Sequence, residues 1–271
     1  MKKLAILAGG GFLPERVAQE AQNQGYRVYV VGVRGQTLPS IEKYAYKIKW
    51  FELSELKKAL LFLSLNRAWQ VVLIGKIHKE SVYKDSSATT FISENMGKDT
   101  SFKDENLLLK VIRYIEALGF KVLDSTLFLK GQLALEGCMS GQDISSAQKK
   151  DIAYGFSMAK KMAKLDIGQT VAVARQNIVA VEAMEGTDQT ILRAGKYVSR
   201  GLTVVKVSRP SQDMRFDVPT VGFETLNSLK EANVETLAIE AGKTIIVDRT
   251  SFCEKAASYG ITIYGYVEEG S

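Results

Sequence analysis

The stretch that decides the fold is "KLAILAGGGFLPERVAQEAQNQGYRVYVVGV", Lys3 to Val33. Lys3–Ala8 is a short apolar run, the pattern of a buried strand. Gly9, Gly10 and Gly11 follow as a turn, Pro14 suits a first helical turn, and Gly25 suits a helix end. Tyr26–Val33 then reads as a second strand. The same alternation continues outward. Residues 54–67 have helical spacing, "VVLIGKI" at 71–77 is a further buried strand, residues 81–101 form a Ser/Thr-rich loop, residues 104–120 are helical, and "KVLDS" is the next strand. Strands alternating with helices imply a parallel sheet with crossovers, so the N-terminal part is expected to be Rossmann-like.

Around "LEGCMSGQDISS" (135–146) the alternation breaks, as at a linker. Asp143, Ser145 or Ser146 can cap a helix that runs to about Leu165. "TVAVAR" and "IVAVEAM" flank Gln176 and Asn177 as a hairpin. Residues 202–209, 236–241, 244–249 and 261–267 read as strands, with short helices at 188–197, 225–233 and 250–258. The fold class is therefore α/β: a Rossmann-like parallel-sheet domain over 1–136 and a mixed α/β domain over 137–271. A chain of 271 residues suits two cores of this size.

Charge and composition exclude several classes. Residues 1–137 hold 20 Lys+Arg against 14 Asp+Glu, and residues 138–271 hold 16 against 16, so the net +6 lies wholly in the first half. Such a face could attract an anionic ligand, nucleic acid or an anionic membrane surface, or could be only a solvated surface. Its lysines are scattered and not interleaved with aromatics, so no nucleic-acid platform is expected. No run approaches the roughly 20 apolar residues of a spanning helix. Cys138 and Cys253 are far apart and read as free thiols of a reducing cytoplasm. The sole histidine, His78, stands without a nucleophile elbow, and zinc ligands are lacking.

Chemistry concentrates in two stretches, "VEAMEGTDQTILR" (181–193) and "SRPSQDMRFDVPTVG" (208–222). They hold Glu182, Glu185, Asp188, Asp213 and Asp217. Carboxylates with few competing nitrogens suit a hard cation such as Mg²⁺, itself the usual partner of phosphates. Asp213, Arg215 and Asp217 would share one face if their segment is extended. An arginine there would keep both acids ionised or grip a phosphate oxygen. The Gly9–Gly11 turn lies where backbone N–H groups can meet an anion. As a dinucleotide fingerprint it falls short, because Pro14 takes the place of the third glycine.

The ordered motifs "AGGGFLP", "IGKI", "KDENLLLKVIRYIEALGF", "LDIGQTVAV", "AVEAMEGTDQTILR", "VKVSRPSQDMRFDVPTVG" and "AIEAGKTIIVD" span nearly the whole chain. They resemble the Mg²⁺-dependent UDP-2,3-diacylglucosamine pyrophosphatases of lipid A biosynthesis, of the type unrelated to the metallophosphoesterase. The family's motif differs locally at "KDEN", where Asp104 and Glu105 still supply an acidic pair. The resemblance implies a second domain of uncommon fold, a homodimer, and hydrolysis to UMP and 2,3-diacylglucosamine 1-phosphate by water attacking the sugar-side phosphorus. It makes Asp217, in "FDVP", the essential aspartate; the residue types themselves add Asp188 and Asp213 as further catalytic candidates. Asp217, Asp188 and Glu185 are the expected Mg²⁺ ligands. Expected substrate contacts are Gly9, Gly10, Gly11, Leu13, Pro14, Thr187, Gln189, Arg215 and Thr220. A cytoplasmic protein at the inner-membrane face would suit this amphiphilic substrate. Two alternatives stand beside it: a non-catalytic binder of UDP-sugar or lipid, and an NAD(P)-linked oxidoreductase.

Overall fold

The structure, a computed structural model, describes residues 2–77, 104–210 and 212–268, without the side chains of 104–107. The chain forms two compact units. The first comprises Met1–Leu129 and Met214–Asp217, the second Lys130–Asp213 and Val218–Ser271.

In the first unit the order is β1 (Lys3–Ala8), α1 (Leu13–Asn23), β2 (Arg27–Val33), β3 (Lys47–Phe51), α2 (Leu56–Leu65), β4 (Gln70–Ile74), α3 (Asp104–Ala117) and β5 (Lys121–Val122). The sheet runs β3-β2-β1-β4-β5 and all four pairings are parallel. Its inner strands are nearly continuous apolar runs because helices cover both faces. On one face Leu60 and Leu63 of α2 and Ile112 and Ile115 of α3 pack with Ala5, Val71 and Phe216. Each such burial contributes roughly 1.5–3 kcal/mol before chain entropy is counted. The sheet order reverses between β1 and β4, and their carboxyl ends are where doubly wound sheets place ligands.

The second unit contains β6 (Gly137–Ser140), α4 (Ser146–Lys164), β7 (Thr170–Ala174), β8 (Asn177–Val181), α5 (Thr187–Gly195), β9 (Leu202–Lys206), β10 (Thr220–Val221), α6 (Phe223–Glu231), β11 (Val234–Glu240), β12 (Ile245–Ile246), α7 (Arg249–Ser258) and β13 (Thr262–Tyr266). Its main sheet is mixed, in the order β6-β13-β11-β9-β7-β8, with β13, β11 and β9 parallel and β6 and β7 antiparallel to their neighbours. β10 and β12 form a separate parallel pair. The period-2 alternation of β9 serves two cores. Leu202 and Val204 pack with Ile191, Leu226, Leu229 and Phe252 of α5, α6 and α7. Val205 and Val207 pack with Ile152, Phe156 and Ala159 of α4.

Local chemistry explains the joints. Ser145 caps α4 by accepting from the Gln148 N–H, and Gln148 reaches back to the Ser145 N–H. Arg175 and Gln176 turn the β7–β8 hairpin in the left-handed region, and buried Asp151 accepts both of their N–H groups at 3.0 and 2.6 Å. The stretch read as a linker contains a strand, β6, which completes one sheet edge by pairing with β13. The expected strand over 244–249 is shorter, ending at Ile246 before α7 begins at Arg249.

Candidate active site

The glycine turn follows β1. Gly9 donates to the Ile74 carbonyl at 2.8 Å, Gly10 donates to the Lys76 carbonyl at 2.7 Å, and Lys76 donates back to Gly10 at 3.0 Å. A Cβ on Gly9 would lie 2.6 Å from the Lys76 oxygen, and one on Gly75 would lie 2.8 Å from the Gly10 oxygen and from Pro14. These glycines therefore let two strand ends press backbone on backbone, and the N–H groups of Gly9 and Gly10 are used by the chain itself. Thr37 tightens the same corner by donating to the Ala8 carbonyl at 2.5 Å. Gly11 differs: at φ +87 it has open space around it, and Phe12 begins α1 with no side-chain cap. Leu13 is half-buried and Pro14 is buried. The part of this turn suited to an anion is the start of α1, from Gly11 to Leu13.

In the second unit, "EGTD" carries the chain from β8 into α5. Gly186 precedes the helix at φ 81, a conformation that favours glycine. The Thr187 hydroxyl donates to Glu182 Oε1 at 2.8 Å and accepts from Lys206 Nζ at 2.6 Å. Glu182 Oε2 accepts the Gln169 N–H at 3.0 Å. Thr187 thus sits inside a chain of bonds, its one proton already donated. Lys206 is buried at 8% exposure, and only a polar neighbourhood makes that tolerable. Glu185 reaches Arg193 Nη2 at 2.6 Å. Its own backbone N–H, then Thr190 and Arg193, hold its carboxyl below the ordinary range.

Asp188, on the first turn of α5, is different from both. Its Oδ1 is buried and has no hydrogen-bond partner. An orphan carboxylate oxygen at this depth costs free energy unless a water, ion or ligand meets it. Gln169 Oε1 is likewise buried without a partner. Gln189 is exposed.

The other acidic stretch does not run extended. Residues 214–216 form a turn, and Asp217 lies in the left-handed region at φ 49. The expected alternation of Asp213, Arg215 and Asp217 on one face therefore fails. The cause is packing: Phe216 is 4% exposed in the core of the first unit, and Met214 accepts the Ser125 N–H at 3.0 Å and its hydroxyl at 2.7 Å. Arg215 pairs with Glu116 of α3 at 3.1 Å, not simply with its neighbouring acids. Asp217 is exposed, in a backbone conformation that Asp tolerates better than most residues and that recurs at functional positions. Thr220 donates to the Val218 carbonyl at 2.9 Å, within the second unit. His78 lies outside the described residues.

Among the described residues no three His, Cys, Asp or Glu side chains gather as a metal-holding group. The donor chemistry nonetheless suits a hard cation at Asp188, whose orphan oxygen is of the type Mg²⁺ takes. Glu185 fits less well, since Arg193 occupies one of its oxygens. Lys206 carries a sequence signal of its own, since a lone lysine inside the apolar run "LTVVKV" marks a buried charge with a partner.

A parallel-sheet domain followed by a mixed-sheet domain with acids at its loop–helix joints is a recognisable class of α/β protein. The LpxI N-terminal domain matches residues 3–132 and the LpxI C-terminal domain matches residues 135–264, and the chain belongs to the LpxI family. It is similar to UDP-2,3-diacylglucosamine pyrophosphatase LpxI of Caulobacter vibrioides, 26% identical over 277 residues and covering 98% of each chain. Among solved structures, the leucoanthocyanidin reductase–NADPH complex from Vitis vinifera is a loose likeness, with TM-score 0.29, 14% identity, and coverage of 44% of this chain and 47% of that one. UDP-glucose-4-epimerase from Stenotrophomonas maltophila, with bound NAD and formylated UDP-arabinopyranose, gives TM-score 0.30, 13% identity, and coverage of 54% and 40%. The chain spans less than half of each of these solved structures.

Proposed function

We propose that this chain hydrolyses the diphosphate of UDP-2,3-diacylglucosamine, releasing UMP and 2,3-diacylglucosamine 1-phosphate for lipid A biosynthesis. The end-to-end match to the LpxI pyrophosphatase, through both of its domains, carries the reading. The chemistry of the acidic stretches supports it. Water forms a new bond to the sugar-side phosphorus, the bridging oxygen leaves with UMP, and a carboxylate takes the water's proton. Asp217 has that role, with Asp213 as a further candidate. Asp217 is exposed and lies in the left-handed region, a backbone conformation that recurs at functional positions.

Mg²⁺ is the proposed cofactor, and Asp188, with its unpartnered oxygen, is the residue that would hold it; bound, it would neutralise the phosphoryl oxygens. Arg215 and the Gly11–Leu13 start of α1 add positive character for phosphate oxygens. Thr220 and Gln189 complete the proposed substrate contacts. Thr187, by contrast, serves by holding Glu182 and Lys206 together. The oxidoreductase alternative loses ground because Gly9 and Gly10 give their N–H groups to Ile74 and Lys76. Among the described residues no helix is long and apolar enough to cross a membrane. A cytoplasmic homodimer meeting its substrate at the inner-membrane surface is the proposed setting.

The test is direct. Purified protein with UDP-2,3-diacylglucosamine and Mg²⁺ should release UMP, and EDTA should stop it. Tight binding with no UMP at any Mg²⁺ concentration would replace the enzyme with a sensor.

A further inference from the structure

We propose that Glu240 and Lys160 form a positioning clamp that fixes where the segment carrying Asp213 and Asp217 leaves the second sheet. The pairing of β9 with β11 ends at Lys206 opposite Ile239. Just beyond, Ser208 is fully buried, and it is the first residue of that segment. Its N–H donates to Glu240 Oε2 at 2.7 Å, a side-chain acceptor standing where the ladder would continue. Its hydroxyl donates to the same oxygen at 2.7 Å. Its carbonyl accepts from Lys160 Nζ at 3.0 Å. Lys160 closes the ring on Glu240 at 2.8 and 2.7 Å, beside the Phe156 ring. One ion pair therefore captures every hydrogen-bonding group of a single residue.

The energetics argue for geometry over stability. A buried ion pair is often no better than apolar packing of the same volume, and removing one partner strands a charge. Glu240 is 5% exposed, so its desolvation is substantial. Burial pushes its carboxyl up, yet the bonds from Lys160, Ser208 and Lys243 outweigh that and hold it below the usual range. What such a pair supplies, and apolar side chains cannot, is a defined direction for the Ser208 peptide. The next residue repeats the restraint, since Arg209 reaches Asp166 at 3.4 Å, and Pro210 then stiffens the chain.

The kinetic arm of the test rests on the hydrolase reading; the exchange arm does not. Glu240→Gln keeps the size but faces an amide toward Lys160, so the clamp loosens. Hydrogen exchange on the free protein should show the Ser208, Arg209, Gln212 and Asp213 amides exchanging at least about tenfold faster, while α5 and α6 stay protected. With substrate, kcat should fall about 10²-fold and KM should stay within about threefold, as expected for misplacement of reacting groups. Lys160→Met should behave like Glu240→Gln, and Lys160→Arg should recover most of the loss. Ser208→Ala, which removes one hydroxyl, gives a milder version that keeps the test valid if the charge variants do not fold: kcat falls roughly fivefold. Faster exchange with kcat unchanged, or lost kcat with exchange unchanged, overturns the clamp. A wild-type protein that releases no UMP overturns the proposed reaction, and the exchange arm then judges the clamp alone.

Discussion

The glycine turn of the first unit and the "EGTD" joint of the second are both strand-to-helix corners, and they use their polar groups in opposite ways. At the first corner, Gly9 and Gly10 satisfy their N–H groups on Ile74 and Lys76, and the close backbone approach is what glycine serves. At the second, Thr187, Glu182 and Lys206 satisfy one another, while a buried Asp188 oxygen is left without a partner. One corner spends its glycine N–H groups within the fold; the other leaves a buried carboxylate oxygen with no partner. A motif's residue types do not reveal which is which, because the answer depends on who takes each hydrogen bond.

The largest expected effect probes the carboxylates. Asp217→Ala should lower UMP release by 10²-fold or more with the far-ultraviolet circular dichroism unchanged, in line with loss of a general base or metal ligand. Turnover within about tenfold of wild type would remove Asp217 from the chemistry. Asp188→Asn comes next. Turnover should drop about tenfold or more and the Mg²⁺ concentration for half-maximal activity should rise, while Glu185→Gln shifts it less. Equal effects would erase the distinction between the orphan oxygen and the one that Arg193 holds.

Stability measurements sharpen the closed corner. Gly75→Ala combines φ +101 with backbone atoms 2.8 Å from the new Cβ, so urea denaturation should report a loss of about 2–4 kcal/mol. Gly11→Ala meets open space and should cost only about 1 kcal/mol, from its positive φ. Similar losses at both would contradict the division of roles among these glycines. The smallest effect is in pH dependence. Glu240 titrates below the ordinary carboxylate range, so its stabilisation is complete above about pH 4.3 and is lost as pH falls through its depressed value. The melting temperature of Glu240→Gln should therefore decline less steeply than wild type on acidification from about pH 5 to pH 3. Parallel declines would mean that the ion pair contributes nothing to the acid response.

The βαβ start was legible because strands buried on both faces are continuous apolar runs. β3 was missed for the same reason in reverse: "KIKWF" lies at the sheet edge with exposed lysines interrupting it. β6 hid inside a glycine-bearing stretch, since only its partner β13 makes "GCMS" a strand. The acids were found from their types and crowding alone. Their geometry was not, because the burial of Phe216 turns the segment that local alternation would have kept straight. Lys160 and Glu240 are 80 positions apart, and no local pattern joins them.

The ring of Phe216 has one more consequence. It fills the interior of the first unit, yet it is encoded far beyond Leu129, where the continuous part of that unit stops. A gene fragment ending at Leu129 would lack the aromatic ring that packs with Leu60, Leu63, Ile112 and Ile115 in that core. Dissecting the two halves therefore calls for supplying that short peptide in trans, or grafting it onto the fragment's end, rather than a single cut.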